Sequence, residues 1–518
     1  MHAITARGSV TEARQDSRWR FYGAVWRWHF YAGLLVLPFI IWLALTGAAF
    51  LYQEAIDRTV HHGLKVVPVG ETRVSAQRLV DAAQRAYGGT LFRFTTPKHA
   101  DASAEIGLVD AQGARHVVYV DPYRARVLGT LPEHGTLAWT IRRLHSLELL
   151  GPFARGLIEM AAGWAIVLVL TGVYLWWPRG RRGGGVVSVR GKPVQRLFWR
   201  DLHAVTGAGV GAILLFLALT GMPWSWLWGA QVNRWANGHD FGYPAGLRVQ
   251  QPMSQQRLVD SGEPAWSLRQ ARVPQSVVPG RGVAALDARL RDGQGGLQAD
   301  ALRATDTRPN HFPHEGDRSP GGRAASFHAA HSEHTAHGGA GSVAVPGLGA
   351  MGLDAAMERC EARGIAAGYS VAPPRGPTGV YTASVYPADL QRQRVIHLDQ
   401  YSGAVLLDMA YRHYGPVGRA LEWGINVHLG QQYGTANQVI LLLACAAIVL
   451  LCVSAAVMWW KRRPVGGLGV PPMPPDPGTL RGLMVVLVIC GLIFPLVGVS
   501  LLMMWLLDRY WIGRSPRG

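Results

Sequence analysis

The sequence has few charged residues. Asp, Glu, Lys and Arg make up 16% of its 518 residues, whereas an ordinary soluble domain has about 25%. The charge is also unbalanced, because 51 Lys and Arg stand against 33 Asp and Glu. A soluble nucleic-acid-binding protein or a disordered basic tail would carry more charge than this. The composition therefore argues against nucleic acid as a partner and, with 49% hydrophobic residues, favours a membrane protein.

Cysteine and catalytic motifs are scarce as well. The four cysteines form no C-x-x-C or C-x-x-C-H motif, which argues against a disulfide scaffold, a structural zinc site and covalently attached haem. The sequence also contains no Ser/His/Asp motif and no paired-carboxylate motif. The chemistry is therefore not expected to depend on a nucleophile or a proton donor.

Long apolar stretches are abundant by contrast. Five of them can cross a bilayer, which takes about 20 helical residues. Basic residues are concentrated before the first stretch and in the loops after the second and fourth. Because cytoplasmic loops carry the excess of Lys and Arg, the N-terminus is expected inside and the two long segments outside. The C-terminal tail would then lie outside, although it contains Arg509, Arg514 and Arg517.

The predicted fold class is a mainly α-helical integral membrane protein. It has a four-helix core of two parallel repeats, a fifth transmembrane helix and two small α+β modules outside. The predicted order is a cytoplasmic tail (1–29), a first span (30–52), a first module (53–144), a second span with an outer-face histidine (145–177), a cytoplasmic loop (178–202), a third span (203–228), a second module (229–427), a fourth span with an outer-face histidine (428–460), a cytoplasmic loop (461–482), a fifth span (483–507) and a tail (508–518).

An internal repeat supports this organisation. In the first and third spans a histidine is followed by Gly at +4 and by Thr-Gly at +17 and +18. In the second and fourth a histidine is followed by Gly at +6, Thr or Ser at +26 and Trp-Trp at +31 and +32. Each outside segment reads as one amphipathic helix, over 75–87 or 353–363, followed by short strands. Residues 278–349 have no apolar periodicity and are predicted to be a mobile insertion.

The repeat places four histidines in two pairs. A pseudo-twofold axis along the membrane normal would set His29 opposite His203 at the cytoplasmic end, and His145 opposite His428 at the outer end. Two facing histidines from different helices can bind one haem iron axially. The pattern therefore predicts two non-covalent haems, an inner one between His29 and His203 and an outer one between His145 and His428.

Other residues near these histidines are candidates for haem packing. Gly33 and Gly207, one turn after the inner ligands, would leave room for a flat macrocycle. The candidates for pairing with haem propionates are Arg27, Arg200, Arg142 and Arg143. The alternative interpretation is that the histidines cap helices, the glycines allow close helix packing and the arginines mark topology. It explains any one helix but not the matching offsets in both halves.

A second group of histidines lies in the predicted insertion. They recur at every third residue and comprise His328, His331, His334 and His337. Such tracts can bind transition metals loosely. A solvated, disordered tract is the alternative interpretation.

The motifs around the four paired histidines resemble those of a known family. They are Trp28-His29-Phe-Tyr-Ala-Gly33, Leu144-His145-Ser, Asp201-Leu202-His203-Ala-Val-Thr-Gly207 and Asn426-Val427-His428. They resemble PepSY-associated transmembrane proteins, also called iron-regulated membrane proteins, which include inner-membrane ferrisiderophore reductases. The resemblance implies two PepSY modules in the periplasm, b-type haems between the helices and a bacterial inner-membrane location. It also implies a haem-ligand role for the four histidines and passage of electrons outward to siderophore-bound iron.

The expected function is that of an oxidoreductase. An external donor, a quinol or a cytoplasmic reductase, would supply electrons, since cytoplasmic loops of about 20 residues are too short for a flavin or nicotinamide domain. The outer haem would reduce a ferric siderophore or another ferric chelate. The alternative is a PepSY-containing membrane sensor or transporter component without redox activity. Chains of charged residues inside the membrane would favour transport, and we expect the four main spans to contain essentially none beyond Asp201 at an edge.

Overall fold

The computed structural model describes residues 3–178, 185–238, 252–279, 351–464, 469 and 477–510. Most of the predicted insertion, including His328, His331, His334 and His337, lies outside the described residues. The described helices, in chain order, are α1 (Ala3–Phe50), α2 (Gln53–Val60), α3 (His62–Lys65), α4 (Ala76–Tyr87), α5 (Leu137–His145), α6 (Pro152–Trp176), α7 (Arg196–Gly221), α8 (Trp228–Gly238), α9 (Leu353–Ala362), α10 (Pro416–His428), α11 (Gly434–Arg462), α12 (Pro477–Ile493) and α13 (Pro495–Tyr510). The strands are β1 (Thr90–Thr95), β2 (Ala104–Val109), β3 (Arg115–Val120), β4 (Val127–Pro132), β5 (Met253–Arg257), β6 (Arg272–Pro274), β7 (Ser370–Ala372), β8 (Val380–Val385), β9 (Arg394–Asp399) and β10 (Val405–Ala410).

Four helices of the described chain are long and apolar enough to cross a membrane. They are Phe21–Phe50 within α1, Pro152–Trp176, Arg196–Trp224 and Gly434–Arg462. Each packs against two of the others, so that α1, α6, α7 and α11 form a closed four-helix bundle. Small and branched side chains fill its core around Trp164, which has no exposed surface. The prediction of four spans is confirmed.

The outer histidines do not lie on the spans themselves. His145 is the last residue of α5, and His428 is the last residue of α10. The chain then turns before the next span begins at Pro152 or Gly434. At Pro152 the reason is local, because proline fits the first turn of a helix and the preceding residue, Gly151, has a φ of +89° that favours glycine. Short amphipathic helices therefore deliver these two histidines to the outer end of the bundle.

The fifth span differs from the expectation. Instead of one helix over 483–507, the chain forms α12 and α13, and the break falls between Ile493 and Pro495. Proline lacks the N–H that a continuous helix would need at this point. The two helices pack closely, since a side chain on Gly491 would meet the backbone of Gly498. The prediction of one continuous fifth helix is wrong.

The helices α12 and α13 form a hairpin, which reverses the direction of the chain. From α13, Leu496 packs against Gly156, Val497 packs against Gly163, and Ser500 accepts a hydrogen bond from Trp164. Because Gly498 of α13 lies against Gly491 of α12, α13 folds back along α12 and runs in the same direction as α6. Because α6 leads from the outer histidines toward the inner pair, α13 ends at the inner end of the bundle.

The two outside segments contribute to one antiparallel sheet. Its strand order is β4-β3-β2-β1-β7-β8-β9-β10, so the strands of both segments meet where β1 pairs with β7. The helices predicted over 75–87 and 353–363 are observed as α4 and α9, and their apolar side chains share the core beneath the sheet. Residues Met253–Pro274 add a separate two-stranded sheet.

A buried aspartate closes the third strand of each sheet half. Asp121, which has no exposed surface, accepts hydrogen bonds from the backbone N–H groups of Tyr123 and Arg124. Asp399 does the same with Tyr401 and the residue after it. These are Asx turns, which let a short carboxylate replace backbone hydrogen bonding at a strand end. The Asp-x-Tyr sequence that occurs in both halves thus has a structural role.

Candidate functional site

The inner histidines face each other across the bundle. His29 lies on α1 and His203 on α7, and the centroids of their rings are 6.5 Å apart with an angle of 83° between the ring planes. Both rings are half-buried. Two imidazole nitrogens bound to one metal ion, each at about 2 Å, would place the ring centroids about 6 Å apart. The inner pair therefore has the spacing of two ligands on opposite sides of one metal ion.

The outer histidines form a second pair. His145 and His428 come from α5 and α10, and the two rings lie within electrostatic range of each other. Both rings are half-buried, as in the inner pair. The structure therefore brings together the two pairs predicted from the sequence.

Each histidine uses its Nδ1 atom to bind a hydroxyl group on another helix. The pairs and their Nδ1–oxygen distances are His29 with Thr171 at 2.8 Å, His145 with Thr46 at 2.9 Å, His203 with Ser454 at 3.3 Å and His428 with Thr220 at 2.8 Å. The Nδ1 atom of His203 also lies 3.1 Å from the backbone carbonyl of Leu451. All four imidazole rings are thus oriented by the same kind of contact.

The direction of these hydrogen bonds follows from the hydroxyl groups. A hydroxyl has one proton to donate, and each of these four donates it to a carbonyl one turn earlier in its own helix. The hydroxyl oxygen must therefore accept from Nδ1–H of the histidine. The carbonyl of Leu451 can only accept, which requires the same proton on His203. All four histidines then carry their proton on Nδ1, and the lone pair on Nε2 is available to a metal ion.

Glycines adjoin three of these hydroxyl contacts. The position of a Cβ atom on Gly47, Gly172 or Gly221 would lie 3.4, 3.4 or 3.5 Å from Cε1 of His145, His29 or His428, respectively. A side chain at these positions would therefore press on the edge of the imidazole ring. The Thr-Gly pairs at His+17 and His+18 contact the outer histidines, a role that the sequence analysis did not predict.

The glycines expected to adjoin a macrocycle have few neighbours. A Cβ atom on Gly33 would meet only Leu168, at 4.0 Å, and one on Gly207 only Leu451, at 3.4 Å. Both glycines lie one turn after an inner histidine on the same helix. They keep side-chain atoms away from the surface beside the inner pair.

The inner candidate arginines already have protein contacts. Arg27 is buried, donates to the Tyr31 hydroxyl and lies over the Tyr31 ring. Arg200 forms an ion pair with Asp201, which is 1% exposed and also binds Arg190. Asp201 therefore joins the start of α7 to the preceding loop.

The outer candidate arginines differ from each other. Arg142 binds Glu263 at 3.2 Å and lies over the rings of Trp139 and Trp224. The Nε atom of Arg143 is buried and has no hydrogen-bond partner in the described residues, although it lies 3.7 Å from a carboxylate oxygen of Glu148. Arg143 therefore pairs with a carboxylate of the chain, although its Nε atom makes no hydrogen bond in the described residues.

One charged residue within a span was overlooked in the sequence. Glu159 on α6 is 3% exposed, and its carboxylate accepts the backbone N–H groups of Leu227 and Trp228. These groups lie at the start of α8, where unpaired N–H groups favour an anion. The expectation of essentially no charged residue in the spans beyond Asp201 is wrong, and Glu159 has a structural role.

The hydroxyl partners of the histidines were also missed as functional residues. Thr171 and Ser454 stand at His+26 in the repeat, and Thr46 and Thr220 stand at His+17. The available signal was that these residues stand at the same offsets from a histidine in both halves of the sequence. It could not show that each hydroxyl contacts a histidine from another helix.

The described residues contain no group of three or more His, Cys, Asp or Glu side chains placed to hold a metal ion. What each histidine pair offers is two imidazoles from different helices, each held through Nδ1. Such a pair can supply two axial ligands to a metal whose other ligands come from a macrocycle.

Comparison with known proteins gives one finding about the whole assembly. The family model described as PepSY-associated TM region matches residues 26–462. This range includes all four paired histidines and both sheet halves. No curated protein matches the chain.

Proposed function

The chain belongs to the PepSY-associated TM region family, and on this premise we propose that it is a di-haem b electron conduit of the bacterial inner membrane. It would reduce a ferric siderophore or another ferric chelate in the periplasm and thereby release iron. The observation that carries the proposal is the contact between Nδ1 of each paired histidine and a hydroxyl oxygen on another helix, which leaves Nε2 ready to bind iron.

The residues present fit two haem groups. His29 and His203 would hold the inner haem, with ring centroids already 6.5 Å apart, and His145 and His428 would hold the outer one. The hydroxyl partners would keep each imidazole in position and tune its strength as a ligand. Apolar side chains fill the bundle core and would keep water from the iron.

Propionate pairing is proposed for Arg143, although it already lies 3.7 Å from a carboxylate oxygen of Glu148. Its buried Nε lacks a hydrogen-bond partner among the described residues, and it lies two residues before His145. Arg27, Arg200 and Arg142 remain candidates, although each already has a contact with Tyr31, Asp201 or Glu263.

The proposal includes two related halves, each with two spans and a periplasmic PepSY-like module. It is supported by the matched hydroxyl contacts of His145 with Thr46 and of His428 with Thr220. It is also supported by the sheet, in which four strands from each segment meet at β1 and β7.

Bound haem would accept single electrons and transfer them. The chain itself holds the two sites at opposite ends of the bundle, so that an electron received at the inner end can leave at the outer end. Siderophores hold Fe(III) through hard oxygen donors, and Fe(II) is held more weakly by such ligands. Reduction by one electron is therefore a release step that needs no nucleophile, and a quinol or a cytoplasmic reductase would supply the electron.

The orientation proposed is N-terminus inside and both large segments in the periplasm. It follows from the basic residues before the first span and in the loops. The α12–α13 hairpin changes the expectation for the C-terminus, because α13 ends at the inner end of the bundle. The proposal now places the C-terminal end of α13 on the cytoplasmic side.

The deciding experiment is a haem-to-protein ratio with a redox titration of the purified full-length protein. We expect two b-type haems per chain with separate midpoint potentials. His203→Ala and His428→Ala should each remove about half of the haem absorbance. Loss of all haem from either single variant would contradict the pairing, and a protein that stays colourless after haem supplementation would favour a sensor or transporter component instead.

Reduction of a chelate needs its own measurement. Protein reduced with dithionite should be reoxidised by ferric siderophores, with Fe(II) captured by a coloured chelator in equal amount. A haem-loaded protein that no ferric chelate reoxidises would refute this part of the proposal.

A further inference from the structure

A cluster of arginine and tryptophan side chains lies next to the outer histidine pair. Arg142 stands three residues before His145 on α5, so it is one helical turn away. Trp224 stands four residues after Thr220, the residue whose hydroxyl binds His428. One member of the cluster is thus close to His145 in the chain and another is close to the partner of His428, which places the cluster at the outer end of the bundle.

The cluster presents guanidinium groups on aromatic faces. The Arg142 guanidinium carbon is 4.4 Å from the ring centroid of Trp139 and 5.7 Å from that of Trp224. The guanidinium carbon of Arg269 lies 5.8 Å from the centroid of the same Trp224 ring. Such stacking fixes the plane of a guanidinium and leaves its N–H edge free for an oxyanion.

The cluster carries an excess of positive charge. Burial lowers the pKa of Arg269; Glu263 opposes this effect, and the positive charges of Arg142 and Arg155 add to it. One carboxylate, that of Glu263, lies among them and binds Arg142 at 3.2 Å and His134 at 3.3 Å. With three arginines and one glutamate, the cluster has about two positive charges left to balance.

We propose that Arg142, Arg155 and Arg269, with the faces of Trp139 and Trp224, form the receiving site for an anionic ferric chelate that presents carboxylate or catecholate oxygens. Arginine binds such oxygens in pairs through its planar fork of N–H groups. The inference rests on the proposed function, and it assigns the substrate class of the outer site as anionic rather than cationic.

The reaction at this site transfers one electron and no atoms. Fe(III) in the chelate gains one electron and becomes Fe(II), and the outer site loses one, which the external donor replaces. No bond within the protein forms or breaks. The chelate gains one negative charge, so the positive cluster also stabilises the product of electron transfer.

Binding can be tested without haem or electrons. Gallium(III) has a similar size and charge to Fe(III) but is not reduced, so radioactive Ga(III)–citrate serves as an anionic probe and Ga(III)–desferrioxamine B as a cationic one. In equilibrium dialysis with the full-length protein in nanodiscs, we expect the anionic complex to bind. Arg142→Gln and Arg269→Gln should each weaken its binding about tenfold or more, and salt should weaken binding to the unaltered protein.

A variant with the opposite expected effect makes the test sharper. Glu263→Gln removes the carboxylate that competes for Arg142, so it should tighten the binding of Ga(III)–citrate several-fold. If the cluster only stabilised the fold, this variant would weaken binding or leave it unchanged. Either of those results would overturn the proposal.

Two controls distinguish this site from other sources of the same effect. Arg78→Gln removes one exposed positive charge from α4 and should leave binding unchanged. Arg412→Gln changes a second arginine-rich cavity, lined also by Arg392, Arg394 and His413. Loss of citrate binding in Arg412→Gln, with normal binding in Arg142→Gln, would move the site to that cavity and refute the proposal.

The haem propionates offer the same carboxylate chemistry from a different source. If Arg142→Gln lowers the haem content but leaves Ga(III)–citrate binding unchanged, Arg142 holds a propionate and the proposal fails. If gallium binding depends on Arg142 and Arg269 while the protein binds no haem, the anion site stands and the electron conduit fails. The two proposals can therefore fail separately.

Discussion

The Oγ1 atom of Thr220 lies 2.8 Å from Nδ1 of His428 and donates its own proton to the carbonyl of Phe216. Thr46 and His145 repeat the arrangement at 2.9 Å. In each case a hydroxyl held by its own helix fixes the proton position on a histidine from another helix. The state of the imidazole is therefore set before any metal is bound.

With two haems bound as proposed, replacing Thr220 should change the outer one alone. Thr220→Val keeps the shape of the side chain but removes the acceptor for Nδ1–H of His428, which lowers the strength of this imidazole as a ligand. We expect the midpoint potential of one haem to shift while the other stays within error, as measured by redox titration of the two Soret components.

Thr171→Val is the matched control for this prediction. Thr171 binds Nδ1 of His29 at 2.8 Å, so its loss should shift the potential of the other haem. Thr220→Ser keeps a hydroxyl and should restore the original value. A shift of both potentials in either valine variant would contradict the assignment of separate pairs.

Acid should destabilise the protein through His397. This histidine on β9 is 2% exposed and binds the Thr382 hydroxyl, and burial lowers its pKa from 6.5 to about 3. Because the pKa is lower in the folded state than in the unfolded one, the full stability is present above pH 6.5 and is lost as the pH falls toward 3. Between pH 7 and pH 5 we expect this group to cost about 2 kcal/mol.

The measurement is the thermal unfolding midpoint of the full chain at pH 7 and pH 5. His397→Gln cannot take up a proton and should reduce the fall in the midpoint between the two conditions. His62→Gln, at an exposed position on α3, should leave that fall unchanged. Equal falls for the unaltered protein and for His397→Gln would show that His397 does not carry the effect.

The hairpin should be held to the bundle by a buried hydrogen bond. Trp164, which has no exposed surface, donates from Nε1 to Oγ of Ser500 at 2.8 Å. Ser500→Ala leaves this N–H without an acceptor and should lower stability by about 1 kcal/mol. The thermal unfolding midpoint measures the loss, and adding Trp164→Phe to Ser500→Ala should cause less further loss than Trp164→Phe alone.

The hairpin also predicts the side of the C-terminus. Since α13 runs in the same direction as α6, a reporter fused after Gly518 should be on the cytoplasmic side. Fusions of alkaline phosphatase, which is active only in the periplasm, should therefore be inactive after Gly518 and active when inserted after Gly113. An active fusion at Gly518 would mean that the last two helices cross the membrane together.

The sequence predicted the four spans because their signal is local. About 20 consecutive apolar residues identify a span without knowledge of its neighbours. The two histidine pairs were also predictable, since the offsets at His29 recur without a gap at His203. The fifth span was misjudged because hydropathy alone does not show that Pro495 ends one helix and begins another.

The partners of the histidines were beyond the reach of the sequence. Thr46 is 99 positions from His145, and Thr220 is 208 positions from His428. The sequence around each threonine contains nothing that relates it to its histidine, although both residues occur at repeated offsets. The same holds for Arg142 and Glu263, which are 121 positions apart.

The sequence by itself determined that this protein has apolar helices long enough to cross a membrane and carries four histidines at matching offsets. These properties depend on composition and spacing along one chain. The tertiary structure alone decided which hydroxyl orients each histidine, where its proton lies and which charges gather beside the outer pair. The physical reason is that hydrogen bonds and ion pairs act over a few ångströms, and only folding brings residues a hundred or more positions apart within that distance.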